Sequence, residues 1–323
     1  MIKIGFACAA LGVAAIGVCF AMEAGEPSDI VHVGTTDLQL KFASEFSTEQ
    51  RSMLAAWVER RGSIVAQYYG QFPVQHVALT IQAVNGGGVR GGTTYPGVRP
   101  FIRLRVGNDA TVRQLDADWV LVHEMIHLAL PLVDDDHLWL AEGLSTYVES
   151  IARAQMSDMQ SGQLWGDFVK AMPQGLPKSG DRGLDHTHTW GRTYWGGALF
   201  CLVADVEIRK ASDNRVGLRD ALRAIMKESG GFTVEWPIAR IFGVGDAAIS
   251  QHTLSELYAK MKDSPVAVDL DALWKQLGVT SDGTRVEFDD HAPLADVRKA
   301  IEACECKALK YDSASRAATP HGS

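Results

Sequence analysis

The segment LVHEMIHLAL, residues 121–130, constrains this chain more than any other. His123, Glu124 and His127 are three ionisable groups inside an otherwise apolar run, and burying such groups without partners costs on the order of several kcal/mol. On an α-helix, positions i and i+4 share one face, so His123 and His127 can offer two imidazole nitrogens to one ion. Glu124 is turned by about 100° from His123. It can reach a water on that ion without being a ligand itself. Neutral imidazole with carboxylate is a zinc donor set, and the expectation is one Zn2+ per chain. The bland alternative is a buried helix whose histidines bond to neighbours. Asp116 or Asp118 can cap this helix, Trp119, Val122, Ile126 and Leu130 form its apolar side, and Pro131 ends it.

Two histidines need a third protein ligand, with one position left open. The segment HLWLAEGLSTYVES, residues 137–150, supplies Glu142 among Leu138, Leu140, Ala141, Leu144 and Val148, on a helix expected from about His137 to Met156. An unpaired carboxylate in that company would be costly, and a metal explains it. His137 is the competing ligand, beside the aspartates of VDDDH.

HEMIH followed by LWLAEGLSTYVE resembles the gluzincin metallopeptidases, above all the glycyl aminopeptidase-like and alanyl aminopeptidase-like families. There the second helix reads W-L-x-E-G-x-x-x-Y, and its glutamate, matching Glu142, is the third zinc ligand. RTYWGGALFCLVADVEIRK resembles their downstream helix, which makes Tyr194 the residue that stabilises the oxyanion. The resemblance covers about residues 90 to 210. It implies a thermolysin-like zinc peptidase catalytic domain, a peptide or protein substrate, and Glu124 as general base. The chain departs from the pattern in two places. The stretch from His127 to Glu142 is shorter than in the alanyl aminopeptidase-like group. GGTTYPG also lacks the acid of the G-x-M-E-N segment, where those aminopeptidases grip a free amine.

The surrounding organisation is α+β, a small β-rich N-terminal part followed by a mostly helical C-terminal part. Residues 30–42, HVALTIQAV and RPFIRLRVG alternate as strands, and residues 48–70 have helical spacing. NGGGVRGGTTYPG is turn-rich; with the strand after it, it is a candidate open edge for an extended peptide, a plain flexible hairpin being the alternative. Residues 157–190 read as polar loop, a third helix covers about Thr193 to Lys210, and short amphipathic helices follow to about residue 305. Secondary candidates for contact with substrate are His186, His188 and Arg192, the last with a salt bridge as its alternative. Asp205 is expected to pair with Arg209, and Trp139 and Trp195 to be core.

The expected division is 1–24 signal peptide, 25–115 β-rich part with an edge strand, 116–305 zinc-binding and helical part, and 306–323 disordered tail. The leader has one lysine, a long apolar run and a small-residue end. Export to the periplasm or medium follows, or membrane anchoring through residues 4–22 if the leader stays. No other run is apolar enough to span. The net charge of -8 argues against a nucleic-acid partner. Cys201 is expected to be a buried thiol, while the states of Cys304 and Cys306 are open. The function these readings favour is an exported zinc metallopeptidase. The alternatives are a zinc hydrolase of another substrate on the same scaffold, or a non-catalytic peptidase-like binding domain.

Overall fold

The computed structural model describes residues 29–304. The N-terminal part is a five-stranded mixed sheet. β1 (Asp29–Val33) and β2 (Thr36–Phe42) form an antiparallel hairpin. Helix α1 (Thr48–Tyr69) then crosses to β3 (His76–Val84), which runs parallel to β2. β4 (Val89–Tyr95) and β5 (Phe101–Gly107) follow, with β5 parallel to β3 and β4 antiparallel to β5. The strand order is β1-β2-β3-β5-β4, which leaves β4 at an edge.

Period-two alternation decides which face is covered. Leu38 and Leu40, Val77, Leu79 and Ile81, and Ile102, Leu104 and Val106 are all buried, while Arg103 and Arg105 face out. The buried face packs on α1, whose Leu54, Trp57, Val58, Ile64 and Val65 join the core. Ser47 starts α1 with a capping box to Gln50, and Gly70 stops it in the left-handed region at φ 83°.

The rest is mostly helical. A short α2 (Val112–Asp116) leads into α3 (Val120–His127), and α4 (Leu138–Gln155) packs on it. α5 (Ser161–Ala171) follows, then a π-helical turn (Gly191–Gly196) that runs into α6 (Gly197–Ser212). Beyond it lie α7 (Leu218–Ser229), α8 (Ile238–Ile249), α9 (Thr253–Met261), α10 (Leu270–Leu277) and α11 (Ala295–Glu302). A small hairpin, β6 (Val279–Ser281) with β7 (Val286–Phe288), interrupts the last helices and was not expected.

Several expectations are corrected. NGGGVRGGTTYPG is largely strand β4. Residues 157–190 contain α5, which buries Leu164, Trp165 and Phe168; two glycines and the lack of a side-chain cap hid its periodicity. α3 ends before Pro131, because Leu128, Ala129 and Leu130 bond three residues back and tighten the chain into a 3₁₀-like turn. The first turn of the expected third helix is π-helical.

Among the described residues no helix is long and apolar enough to cross a membrane. Cys201 is buried, which pushes its thiol pKa upward. Cys304 is disulfide-bonded. The leader, Cys8, Cys19, Cys306 and the expected tail lie outside the described residues.

Candidate metal centre

α3 is a short apolar helix, and Asp118 caps it by accepting from the Leu121 amide at 3.1 Å. Its helical period puts His123 and His127 on one face, toward α4. α4 presents Glu142 to them: Glu142 Oε2 lies 3.2 Å from His123 Nε2 and 3.5 Å from His127 Nε2. One donor atom from each of the three residues lies within 4.8 Å of the others.

Close packing of glycines sets where α4 can sit. A Cβ built on Gly143 would lie 2.3 Å from Gly197 Cα, and one on Gly197 would lie 2.0 Å from the Trp139 carbonyl oxygen. α4 and α6 therefore cross backbone to backbone, beside Glu142 on one helix and a few residues after Tyr194 on the other. Tyr194 leaves the π-helical turn toward the same cleft, its ring stacked 6.3 Å from His123 and 5.6 Å from Trp190. Single-turn π-helices of this kind occur often at functional sites.

Glu124 is buried at 8% exposure and comes up under the edge strand. Thr94 Oγ1 lies 2.6 Å from Glu124 Oε2 and 2.8 Å from the Glu124 carbonyl oxygen. Gly92, two residues earlier on β4, leaves no room for a side chain, since a Cβ there would fall 2.6 Å from Glu124 Cγ. On the other side, Ser145 Oγ is 3.3 Å from His127 Nδ1 and helps orient that ring. Thr94, Gly92 and Ser145 carry no sequence signal for these roles. Ser145 alone had one available clue, its place three residues after Glu142 on one helix.

Burial disfavours ionising Glu142, but the charge of His127 and hydrogen bonds from both imidazoles outweigh it and hold the carboxyl well below the usual carboxylate range. Burial likewise disfavours the charged form of His127, yet the Glu142 carboxylate wins and raises that imidazole. The donor chemistry fits zinc. A tetrahedral shell with ligands at 2.0–2.1 Å separates neighbouring donors by about 3.3 Å, and the two Glu142–histidine separations, 3.2 and 3.5 Å, bracket that value.

The other sequence candidates lie elsewhere. His137 is ion-paired with Asp134 at 2.6 Å and hydrogen-bonded to the Tyr258 hydroxyl at 2.9 Å, apart from the three converging donors. His186 pairs with Asp263 at 2.8 Å, His188 faces Asp136 at 3.8 Å, and neither lines the cleft. Arg192 is buried, paired with Asp181 at 2.8 Å and bonded to the Gly175 carbonyl, so its salt-bridge alternative is the one observed. Asp205 and Arg209 pair at 2.9 Å. Trp139 is core, its indole N–H donated to Asp185. Trp119, expected on the apolar side of α3, is 45% exposed and sits edge-on to His123. It precedes the first helical turn, so the buried stripe does not govern its direction.

The sheet followed by helices is a fold shared with the aminopeptidase N family. The solved structures similar to it include an aminopeptidase N family protein from Idiomarina loihiensis, at TM-score 0.55 and 13% identity over 79% of this chain and 49% of that one. An M1 zinc metallopeptidase from Deinococcus radiodurans aligns at TM-score 0.46 and 15% identity over 74% of this chain and 53% of its own. A mutant two-domain M1 zinc metallopeptidase bound to L-arginine aligns at TM-score 0.46 and 17% identity, over 75% and 54%. The chain spans about half the length of these proteins. No protein-family model and no curated protein matches the sequence.

Proposed function

We propose that this chain is a zinc-dependent metallopeptidase on a thermolysin-like catalytic domain, exported by its leader, with His123, His127 and Glu142 as the metal ligands. The observation that carries the reading is the convergence of those three donors in a cleft that also contains Glu124 and Tyr194. When bound, a zinc ion supplies Lewis-acid chemistry, polarising a carbonyl and lowering the pKa of a water toward about 7.

The chain's own residues do the rest. Glu124, its carboxylate steadied by Thr94, takes a proton from the attacking water and delivers it to the leaving nitrogen. The Tyr194 hydroxyl donates to the carbonyl oxygen as negative charge develops there. Among the described residues β4 is an edge strand of the sheet along the cleft, where an extended peptide can add as a strand.

The test compares the native chain with Glu124→Gln on a mixed peptide library. The expected result is about one zinc per chain in both proteins and hydrolysis in the native chain alone, with a loss of at least about 100-fold in the variant. Equal hydrolysis by both would refute the assignment.

A further inference from the structure

The cleft measures about 450 Å³. Apart from Tyr194, its ionisable lining residues are His123, His127, Glu124 and Glu142. The proposed function engages all four, as metal ligands and as base. Among the described residues lining the cleft, no carboxylate is left for a peptide's terminal ammonium and no Lys or Arg for a terminal carboxylate. A charged terminus brought there would lose its hydration without gaining a partner. The nearby acid Asp136 faces His188 at the surface, its side chain 74% exposed, where attraction is weakened by solvent.

The remaining walls are apolar, and they fall at the two ends of α3. At its N-terminal end stands Trp119, edge-on to His123, and Trp190 stacks on Tyr194, whose ring in turn stacks on His123; the two tryptophans are 45% and 51% exposed. At its C-terminal end stand Leu130, Leu132 and Phe232, the last with its ring 6.4 Å from His127. A parallel bridge between Leu132 and Glu235 holds this wall together, and the Phe232 amide bonds the Leu128 carbonyl oxygen. The two histidine donors lie between the walls. Eight helical residues span about 12 Å, a length that about four residues of extended peptide cover. Two exposed tryptophans facing a cleft whose other wall is built from the partly exposed Leu132 and Phe232 and the buried Leu130 offer what an apolar ligand needs.

We infer that the cleft takes an internal stretch of polypeptide and selects bonds flanked on both sides by large apolar side chains, one against Trp119 and Trp190, the other against Leu130, Leu132 and Phe232. This rests on the peptidase reading above and adds to it the substrate class and the mode of attack. The chain acts as an endopeptidase, and chain ends play no part in recognition.

The experiment uses decapeptides acetylated at the N-terminus and amidated at the C-terminus, with Leu or Phe, or Asp or Lys, on either side of the central bond. Products are read by mass spectrometry. Internal cuts are expected in blocked and free peptides at rates within about twofold. Apolar-flanked bonds should be favoured by about tenfold or more, the scale of filling or missing an apolar pocket. Trp190→Ala should reduce the preference on one side of the bond and Phe232→Ala on the other, a flank-specific change that general loosening of the fold would not produce. Stepwise trimming from free N-termini that acetylation abolishes would overturn the inference, as would equal cutting whatever the flanking residues.

A second measurement separates this from failure of the peptidase reading. Zinc-loaded Glu124→Gln protein is titrated calorimetrically with the blocked apolar peptide and with its Asp-substituted analogue. About tenfold tighter binding of the apolar peptide supports the cleft's preference even if the native chain cuts nothing, and equal binding overturns it.

Discussion

Thr94 Oγ1 lies 2.6 Å from Glu124 Oε2, so an edge-strand hydroxyl holds the carboxylate beside the proposed metal ligands. A hydrogen bond to a charged group contributes about 1.5–3 kcal/mol, equivalent to roughly 10- to 100-fold in rate if it is needed in the transition state. Thr94→Val keeps the side chain's shape and removes the donor. Its kcat should fall by that factor while KM and zinc content stay near native values, and Thr94→Ser should recover most of the loss. Unchanged kcat in the valine variant, with only a lower melting temperature, would make the hydroxyl a purely structural group.

Gly92 lies against the same carboxylate from the strand side. An added Cβ would meet Glu124 Cγ at 2.6 Å and Cδ at 3.1 Å. Gly92→Ala should therefore push Glu124 out of position, and displacement of a catalytic group by about 1 Å costs on the order of 100-fold in rate. Zinc affinity should change far less, because the three atoms nearest the added methyl all belong to Glu124 and not to His123, His127 or Glu142. Steady-state hydrolysis with metal analysis of the same sample checks both statements.

The crossing of α4 and α6 through Gly143 and Gly197 leaves no space for a methyl. Overpacking costs about 1–3 kcal/mol, and more where backbone must move. Gly143→Ala should lower stability by at least that amount. Because Glu142 is the adjacent residue, zinc affinity should fall with it. Urea denaturation of the zinc-free protein reads the first effect and zinc titration the second.

Asp118 gives a pH signature. Burial, the largest influence, outweighs its bonds to the Leu121 and Val120 amides and raises its pKa from 3.8 to about 6. As pH rises, the unfolded chain ionises this group before the folded chain does. Its contribution to stability is therefore intact below about pH 4 and is lost as pH rises through about 6. Asp118→Asn keeps a capping side chain and removes the titration. Relative to the native chain, the variant should gain on the order of 3 kcal/mol between pH 4 and pH 7. A stability difference that does not change with pH would contradict the buried, unionised state.

Local signals made much of the site readable. The four-residue spacing of His123 and His127 needed only helical periodicity, and Glu142 announced itself as an acid inside an apolar helical stripe. Tyr194 was named through the family resemblance and not from its own surroundings. The structure puts its ring on the cleft without that resemblance being used. α5 and β4 were misread for the same reason: glycines at 162, 166, 91 and 92 dilute a pattern that long-range packing then enforces. The partners of Glu124 were invisible, because strand pairing brings Thr94 to a residue thirty positions away.

The sequence by itself determined which side chains could bind an ion and which helical faces would carry them, because those properties depend on residue chemistry and on neighbours three or four positions apart. Tertiary structure alone decided that α4, and not the His137 loop, brings a carboxylate to the two imidazoles, and that β4 contacts Glu124. Both outcomes depend on backbones approaching at Gly143, Gly197 and Gly92. Such contacts join segments far apart in the chain, and no local pattern encodes the distance between them.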